Sequence, residues 1–375
     1  MIYLDSAATT FQKPPAVRQA MLQAMDGMTT PGRGGYPAAQ AAAQAAFRCR
    51  SEIAELFHVP SPEQVVFTSN ATHGLNIAIK TLVHPGGRVV ISGYEHNAVT
   101  RPLYALKAHT LAADTPLFRP ELSLAAFERA VTPDTEAVIC SQVSNVFGFI
   151  QPVEEIAALC RRRGVPLIVD ASQGAGVVPL DFSALGAAFV AMPGHKGLYG
   201  PQGTGVLLCG EKTCPLLEGG TGSQSREQEM PDFLPDRLEA GTHNMPGIAG
   251  LLEGVRFVRA MGTEKILDHE RKLIGLLADG LRELPGVHLY TGENLDHQAG
   301  VLSFTAQGWD VEDLGEALAQ AGVAVRAGLH CAPLAHRTAG TFETGTVRLS
   351  VSAFNTEEEI AEFLVILRKI MNRNS

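Results

Sequence analysis

Short apolar runs alternate along the chain with stretches in which apolar residues recur at helical spacing. The runs "QVVFTS", "RVVISG", "EAVICSQVS" and "VPLIVDAS" are rich in β-forming residues, and segments such as "PVEEIAALCRRRG" lie between them. This alternation predicts an α/β fold with parallel strands. The continuous apolar run Pro166–Val169 predicts a strand covered on both faces, with Asp170 at its carboxyl end. Ligands of open α/β sheets bind at that edge, so Asp170 is a candidate for chemistry.

The pattern changes after "EAGTHNMPG" to longer helices and short strands. Upstream, the alanine-rich stretch "PAAQAAAQAAFRCRSEIAELF" predicts one long helix, because alanine has the highest helix propensity. Near the end, Thr356 and Glu359 predict a capping box at the start of the last helix. A chain of 375 residues also exceeds the size of most single hydrophobic cores. We expect a large domain over 15–250 and a small C-terminal domain over 251–375 together with 1–14.

Charge and composition argue against several classes of partner. The formal net charge is -9, with 30 Lys and Arg against 39 Asp and Glu and no basic block, so we expect no nucleic-acid partner. The first twenty residues carry Asp5 and Lys13, and no later run approaches the roughly 18 apolar residues of a membrane span. We therefore expect no membrane association and a cytoplasmic location. The 6 cysteines lack CxxC spacing, which argues against a disulfide framework, a zinc ribbon or another metal site.

The stretch "AMPGHKGLYGPQGTGVLL" places Lys196 after His195 and before a glycine-rich turn that leads into a strand. Glycines allow the backbone to approach a ligand closely and to adopt positive φ. A phosphate-binding loop of the GxxxxGK[ST] type is excluded, because the lysine precedes the glycines and no GK[ST] occurs. Taken alone, the stretch favours a solvated surface lysine, since most lysines are exposed.

Asp170 in "VDASQGAGVVPLDF" and Lys196 together change that interpretation. The chain resembles the class V aminotransferase family of pyridoxal-phosphate enzymes, and within it the group II cysteine desulfurases and selenocysteine lyases. Matching motifs run from Asp5 to Arg348, so the resemblance covers nearly the whole chain. It implies a pyridoxal-phosphate-dependent transferase fold of type I. Lys196 would bond covalently to the cofactor aldehyde, and Asp170 would keep the pyridine nitrogen protonated.

The resemblance implies three further contacts around the cofactor ring. Gln173 matches the family glutamine that hydrogen-bonds the phenolic oxygen of the ring. His96, in "SGYEHNAVT", matches the histidine that stacks on the ring and is available for proton transfer. Asn145, in "QVSNVFG", matches the asparagine that contacts the ring oxygen or the substrate.

Other residues match the phosphate site. Ala71 and Thr72 begin a predicted helix, whose free amides and dipole suit a phosphate, although Thr72 could also be a simple N-cap. Pro193 and Gly194 stand where many relatives have a serine, which removes one hydroxyl from the phosphate site. Either His195 compensates for that loss, or the cofactor binds more weakly.

The segment "RLEAGTHN" resembles one whose threonine, here Thr242, crosses a dimer interface to reach the phosphate of the neighbouring subunit. The resemblance therefore implies a homodimer. In "PGRGGYP", Arg33 is expected to approach the partner's pocket.

Two arginines and a thiol complete the expected site. Arg348, in "GTVRLSVSAFNT", matches the residue that binds the substrate carboxylate, and Arg326 matches a second active-site arginine. Cys331, in "RAGLHC", matches the cysteine that attacks the substrate sulfur. Arg326 and His330 would favour its thiolate form. Leu329 departs from the histidine often found two residues before the cysteine, which leaves the preferred substrate open.

The resemblance implies a cysteine desulfurase that converts L-cysteine to L-alanine and leaves a persulfide on Cys331 for an acceptor protein. Selenocysteine lyase and cysteine-sulfinate desulfinase activities are alternatives on the same scaffold. An aminotransferase or epimerase with a structural Cys331 is another alternative. So is a non-catalytic sulfur-relay or zinc-binding module that uses Cys331, His330 and His336, although a second cysteine pair at ligand spacing is missing.

Overall fold

Helices and strands alternate through residues 1–32, 34–210 and 212–372, which this computed structural model describes. The helices are α1 (Pro15–Gly27), α2 (Pro37–Leu56), α3 (Ala71–Leu82), α4 (Asn97–Ala105), α5 (Pro120–Ala130), α6 (Val153–Arg163), α7 (Phe182–Leu185), α8 (Met245–Met261), α9 (Thr263–Arg282), α10 (Val311–Gln320), α11 (Pro333–Thr338) and α12 (Glu357–Met371). The strands are β1 (Ile2–Tyr3), β2 (Val65–Thr68), β3 (Arg88–Ser92), β4 (His109–Ala113), β5 (Thr135–Ser141), β6 (Leu167–Asp170), β7 (Phe189–Pro193), β8 (Gly205–Cys209), β9 (Val287–Tyr290), β10 (Val301–Ala306), β11 (Val323–Ala324), β12 (Arg326–Gly328) and β13 (Thr346–Ser350). The predicted α/β class is confirmed.

The larger sheet has the strand order β2-β8-β7-β6-β5-β3-β4. Neighbours from β4 through β7 run parallel, whereas β8 is antiparallel to both β7 and β2. The predicted strand at Pro166–Val169 is observed one residue later, at Leu167–Asp170. Proline lacks a backbone N–H for the ladder, so regular pairing starts at Leu167. Asp170 ends β6 and pairs with Ser141 and Ala191 of the adjacent strands.

Strand β6 is buried on both faces, as its continuous apolar run predicts. Leu167 and Val169 pack into a core shared with α2 and α6, whereas Ile168 packs into a second core with α3 and α4. This division follows from the strand geometry, because successive side chains point to opposite faces of a sheet. Helices on both faces leave the carboxyl ends of the parallel strands as the open edge where a ligand can bind.

The smaller sheet is antiparallel, with the order β12-β13-β10-β9, and its apolar side packs against α9, α10 and α12. Strand β1 pairs in parallel with β11, so the start of the chain joins this part of the fold. The predicted capping box of Thr356 and Glu359 at α12 is confirmed. Helix α8 runs across position 250 and packs against α1 and α2, and the domain division near that position stays a prediction.

Among the described helices, none is both long enough and apolar enough to cross a membrane. All six cysteines are free, and only Cys214 and Cys331 are exposed. The same part of the chain contains no group of three or more His, Cys, Asp or Glu side chains arranged to hold a metal ion. The zinc-binding alternative built on Cys331 and its neighbouring histidines therefore gains no support.

Candidate active site

Lys196 lies in the turn that connects β7 to β8. Gly200 N–H donates to the Gly194 carbonyl at 2.7 Å, and Tyr199 N–H donates to the Lys196 carbonyl at 2.9 Å, which closes the turn. A Cβ at Gly194 would lie 2.2 Å from Thr204 Oγ1, so only glycine allows this close approach. Burial lowers the pKa of the Lys196 amine to about 8, and the nearby Asp170 carboxylate opposes that shift. The amine is thus closer to its neutral, nucleophilic form than an exposed lysine.

Most of the predicted site residues border one cavity of about 120 Å³ at the carboxyl edge of the larger sheet. They are Ala71, Thr72, His96, Asn145, Asp170, Gln173, His195 and Lys196. Pro193, the last residue of β7, lines the same space. These residues belong to separate strand ends and helix starts, so the topology brings together groups that are scattered in the sequence.

The Asp170 side chain is nearly buried at the floor of this cavity. Its Oδ1 accepts the Ser172 N–H at 2.9 Å and also bonds the Ser172 hydroxyl, which fixes the carboxylate orientation. Gln173 Nε2 donates to the Ala7 carbonyl at 3.0 Å, so the N-terminal arm fixes the side chain predicted to face the ring.

His96 is the N-cap of α4. Its Nδ1 accepts the Ala98 N–H at 3.0 Å, so a neutral ring carries its proton on Nε2. Burial lowers the pKa of His96, and the Asp170 carboxylate acts in the opposite direction. The ring therefore offers a directed Nε2–H donor beside the cavity.

Helix α3 begins at the opposite side of the cavity, with Asn70 as its N-cap. Asn70 Oδ1 accepts the His73 N–H at 2.9 Å, so the alternative in which Thr72 is a simple N-cap is wrong. Thr72 sits in the first turn instead, because Asn70 already fills the capping position. Ala71 and Thr72 then stand at the positive end of the helix dipole, where backbone N–H groups suit an anion.

His195 adds an unsatisfied group to the same end of the cavity. Its Nδ1 is buried and has no hydrogen-bond partner within the described ranges. Burial lowers the pKa of His195 to about 4, with smaller contributions from the Lys196 and Lys13 charges. A buried orphan nitrogen costs free energy unless a ligand satisfies it, so this atom indicates a binding partner in the cavity.

Asp5 links the two predicted arginines, which face each other across β12 and β13. Arg348 Nη2 donates to Asp5 Oδ1 at 2.8 Å, and Arg326 Nη2 donates to Asp5 Oδ2 at 2.9 Å. Sequence reasoning missed this carboxylate, because Asp5 and Arg348 are 343 positions apart and no local spacing connects them. The contact fixes both guanidinium groups and offsets one of their two charges.

Arg348 is almost fully buried and keeps unused donors. Its Nη1 donates to the Asn145 carbonyl at 3.0 Å, while Nε is buried without a partner in the part of the chain that the structure describes. Asn145 Nδ2 in turn donates to the His330 carbonyl at 2.9 Å. Asn145 thus connects Arg348 to the segment that carries the predicted nucleophile.

Cys331 lies exposed in a tight turn between β12 and α11. His330 and Cys331 have φ of 50° and 55°, a conformation that non-glycine residues seldom adopt. The turn is fixed from several sides: Asn97 N–H donates to the Cys331 carbonyl at 2.8 Å, and the buried His330 Nε2 lies 3.1 Å from the Thr346 carbonyl. Because Asn97 follows His96 directly, the Cys331 backbone is attached to the rim of the lysine cavity.

A family model for aminotransferase class V matches residues 2–363. This chain belongs to the class V aminotransferase family. A probable cysteine desulfurase from Mycolicibacterium paratuberculosis is 34% identical over 99% of this chain. The chain spans 55% of that relative's length. A probable cysteine desulfurase from Methanothermobacter thermautotrophicus is 33% identical over 96% of the chain and 92% of the relative.

A solved structure supports the same relationship. The apo structure of a cysteine desulfurase from Thermococcus onnurineus NA1 matches with a TM-score of 0.89 and 30% identity, covering 99% of this chain and 95% of that one. The predicted resemblance and the fold type I architecture are therefore confirmed.

Not every predicted site residue of this chain lines the lysine cavity. Thr242 is exposed and borders a separate cavity of about 320 Å³ beside the start of α8. A buried ion pair supports its loop: Arg50 Nη2 lies 2.6 Å from Glu239 Oε2, which also lies 2.6 Å from His243 Nε2. Arg33 lies outside the described residues. Because Thr242 is exposed, its side chain can contact another molecule.

Proposed function

We propose that this class V aminotransferase is a pyridoxal-phosphate-dependent cysteine desulfurase that produces L-alanine and a Cys331 persulfide. The observation that carries the proposal is the attachment of the Cys331 turn to the rim of the Lys196 cavity through Asn97 and Asn145. This attachment supports a reaction in which the Cys331 thiol acts on a substrate held near Lys196, with Arg348 as the proposed carboxylate-binding group. The full-length relatives named as cysteine desulfurases support the same reaction.

The residues of the cavity fit pyridoxal phosphate. The start of α3 and the orphan Nδ1 of His195 provide donors for the phosphate, and Asp170 provides a fixed anion for the pyridinium nitrogen. Lys196 would hold the aldehyde carbon covalently, and the neutral His96 ring would lie against the pyridine. When bound, the cofactor supplies an electron sink that stabilises negative charge at the substrate α-carbon.

Arg348 is the group that would orient the substrate. A guanidinium binds a carboxylate through two parallel N–H donors, and the unpartnered Nε of Arg348 is one such donor. Because Asp5 neutralises one of the two facing arginines, a single net positive charge remains for one substrate carboxylate. The arrangement therefore suits the carboxylate of an amino acid.

Lys196 would serve as the base at the α-carbon. With its pKa lowered to about 8, a useful fraction of the amine is neutral near pH 7 and can accept the α-proton, after which the ammonium can return a proton to the product. The His96 Nε2–H is a second donor on the cavity wall. Lys196 and His96 are thus the two groups proposed to transfer protons.

Cys331 would take the sulfur. Its thiolate attacks the substrate sulfur, so an S–S bond forms, the substrate C–S bond breaks, and the electron pair of that bond stays on carbon, where a proton completes alanine. Since Cys331 is exposed, its persulfide would be accessible to a sulfur-accepting protein. The acceptor and a cytoplasmic location stay predictions.

The direct test is intact-mass analysis after incubation with L-cysteine, and separately with L-selenocysteine, together with quantification of alanine. We expect L-cysteine to add one sulfur atom to the protein before a reductant is added. In the presence of a reductant, the persulfide is removed and alanine should form over repeated turnovers. Alanine from selenocysteine alone would replace the desulfurase by a selenocysteine lyase. Transamination products without a mass increase would show that Cys331 is structural.

We also propose a homodimer in which Thr242 reaches the partner's phosphate site. Large apolar side chains of the N-terminal arm, α1 and α2 are exposed, namely Phe11, Leu22, Met25, Tyr36 and Phe47. A dimer interface that covers these side chains would remove apolar surface from water, which favours association. Sedimentation at the assay concentration is expected to show a dimer, and a fully active monomer would contradict the proposal.

Subunit mixing tests the shared site more sharply. Lys196→Ala and Thr242→Asp subunits should each be inactive, the second because its carboxylate repels the phosphate. If Thr242 acts across the interface, mixed dimers contain one intact site, and random reassociation should restore about a quarter of wild-type activity. No recovery in verified mixed dimers would place Thr242 in its own subunit's site.

A further inference from the structure

Glu270 is a buried acid that the proposed reaction does not use. It lies on α9 with only 4% of its surface exposed. The Gly300 N–H donates to its carboxylate, and a Cβ at Gly300 would lie 2.1 Å from Glu270 Oε2. Residue 300 must therefore be glycine for the acid to fit. Burying an acid that gains few hydrogen bonds or opposite charges in return lowers the free energy of unfolding. The position of Glu270 is therefore better explained by a function than by stability.

Both Glu270 and the site lysine line a second, smaller cavity of about 30 Å³. Its wall includes Lys196, Gln173, Tyr199 and Glu270, together with the hydroxyl residues Ser6, Thr10, Ser350 and Ser352. A buried water needs roughly 10–15 Å³ and two or more polar partners, so this space has room for about two waters. Lys196 and Gln173 also line the larger cavity, and they therefore separate the acid from the cofactor space.

The cavity lies where three parts of the fold meet. The turn after β7 contributes Lys196, the N-terminal arm contributes Ser6, and α9 contributes Glu270. The polar lining makes water a suitable occupant, whereas an apolar lining would keep such a space dry.

We propose that Glu270 is a positioning residue that exchanges a proton with Lys196 through water in this small cavity. The proposal rests on the proposed function, in which Lys196 gains and loses a proton in each turnover. In one direction the carboxyl proton passes to water, and a water proton passes to the amine, giving a carboxylate and an ammonium. The reverse transfer restores the neutral pair, so the net charge of the cavity stays constant.

The acid-base properties of the two groups are compatible with this exchange. Burial raises the pKa of Glu270 to about 8, and burial lowers the pKa of Lys196 to about 8. Proton transfer between groups of similar pKa has a small free-energy cost in either direction.

Other titratable groups near the cavity have different partners. The buried Tyr199 hydroxyl accepts the Ala353 N–H at 2.9 Å, and burial raises its pKa far above the neutral range. His269, next to Glu270, has Nε2 3.0 Å from the Asn355 carbonyl. Lys13 bonds the Thr10 hydroxyl and the His195 carbonyl, and burial lowers its pKa to about 8. A test must therefore resolve Lys196 from Lys13.

Trace acetylation can distinguish Lys196 from Lys13. The full chain, with cofactor removed, is acetylated at pH values between 6 and 10, and the labelling of each lysine is quantified by peptide mass spectrometry. In the proposed exchange, an ionised Glu270 adds to the stabilisation of the Lys196 ammonium by the Asp170 and Asp5 carboxylates. Glu270→Gln, which keeps the shape of the neutral acid, should therefore lower the Lys196 labelling midpoint by about half a pH unit or more. Glu270→Asp, which withdraws the carboxyl, should lower it by less.

Glu154→Gln is the matched control, because Glu154 is also a partly buried acid with a raised pKa but lies on α6, outside both cavities. It should leave the Lys196 midpoint unchanged, and thermal unfolding confirms that each variant is folded. A wild-type midpoint in the folded Glu270 variants overturns the proposal. The labelling needs neither cofactor nor L-cysteine, so its result is independent of whether the protein is a desulfurase.

Discussion

Lys196→Ala is expected to reduce alanine formation from L-cysteine by about 1,000-fold or more, because one change removes both the covalent anchor of the cofactor and the base at the α-carbon. His96 cannot replace Lys196 as the base, because its Nδ1 already accepts a backbone N–H at the start of α4. Steady-state kinetics measure the loss. Borohydride reduction of the wild-type protein, followed by peptide mapping, should locate a pyridoxyl group on Lys196.

Lys13→Ala provides the matched control. Lys13 also has a pKa lowered to about 8 and bonds the His195 carbonyl, but its side chain does not border the cofactor cavity. This variant should retain the pyridoxyl group on Lys196 and lose much less activity. Recovery of the group on Lys13 or any other lysine would contradict the assignment of Lys196.

Cys331→Ala is expected to eliminate persulfide formation and to lower L-cysteine turnover by at least about 100-fold, while cofactor binding and the absorbance change on adding L-cysteine remain. In the proposed mechanism, Arg348 and Lys196 bind and activate the substrate, whereas only a thiolate beside the substrate sulfur can accept that atom. Visible spectra, alanine release and intact mass separate these functions in one sample.

Cys214→Ala is the control for the thiol, since Cys214 is also exposed but its backbone N–H donates to Thr81 Oγ1 near the end of α3 rather than to a residue at the cavity rim. It should behave as wild type in all three measurements. Full L-cysteine turnover in Cys331→Ala would identify Cys331 as a bystander. A loss confined to L-cysteine, with selenocysteine still consumed, would favour the lyase, because selenium leaves carbon with less nucleophilic assistance.

The parts of the fold that the sequence predicts are those that depend on local pattern. A buried strand has a continuous apolar run, so β6 and the position of Asp170 at its end could be recognised directly. The long α2 follows from alanine propensity, and the start of α12 follows from its capping residues. The other residues around Lys196 are assigned to one site only through the family resemblance, and the common edge at which the strand ends of a parallel sheet meet explains why they lie together.

The remaining features depend on contacts between distant segments. Nothing near Asp5 in the sequence indicates that it joins Arg326 and Arg348, and nothing near Asn145 indicates its bond to the His330 carbonyl. Glu270 was also missed, because one acid in an amphipathic helix usually lies on the solvated face. Burial by another part of the fold determines its environment, and that information is absent from the local pattern.

The pairing of β1 with β11 has a consequence for how the protein is made. Ribosomes release the amino terminus first, yet Ile2 finds its partner Val323 only after most of the chain has been synthesised. Asp5 must wait even longer for Arg348. The larger sheet can form during translation, whereas the contacts of Asp5 with Arg326 and Arg348 are assembled after it. Closing so long a loop costs chain entropy, so acquisition of activity should lag behind formation of the sheet in a refolding experiment.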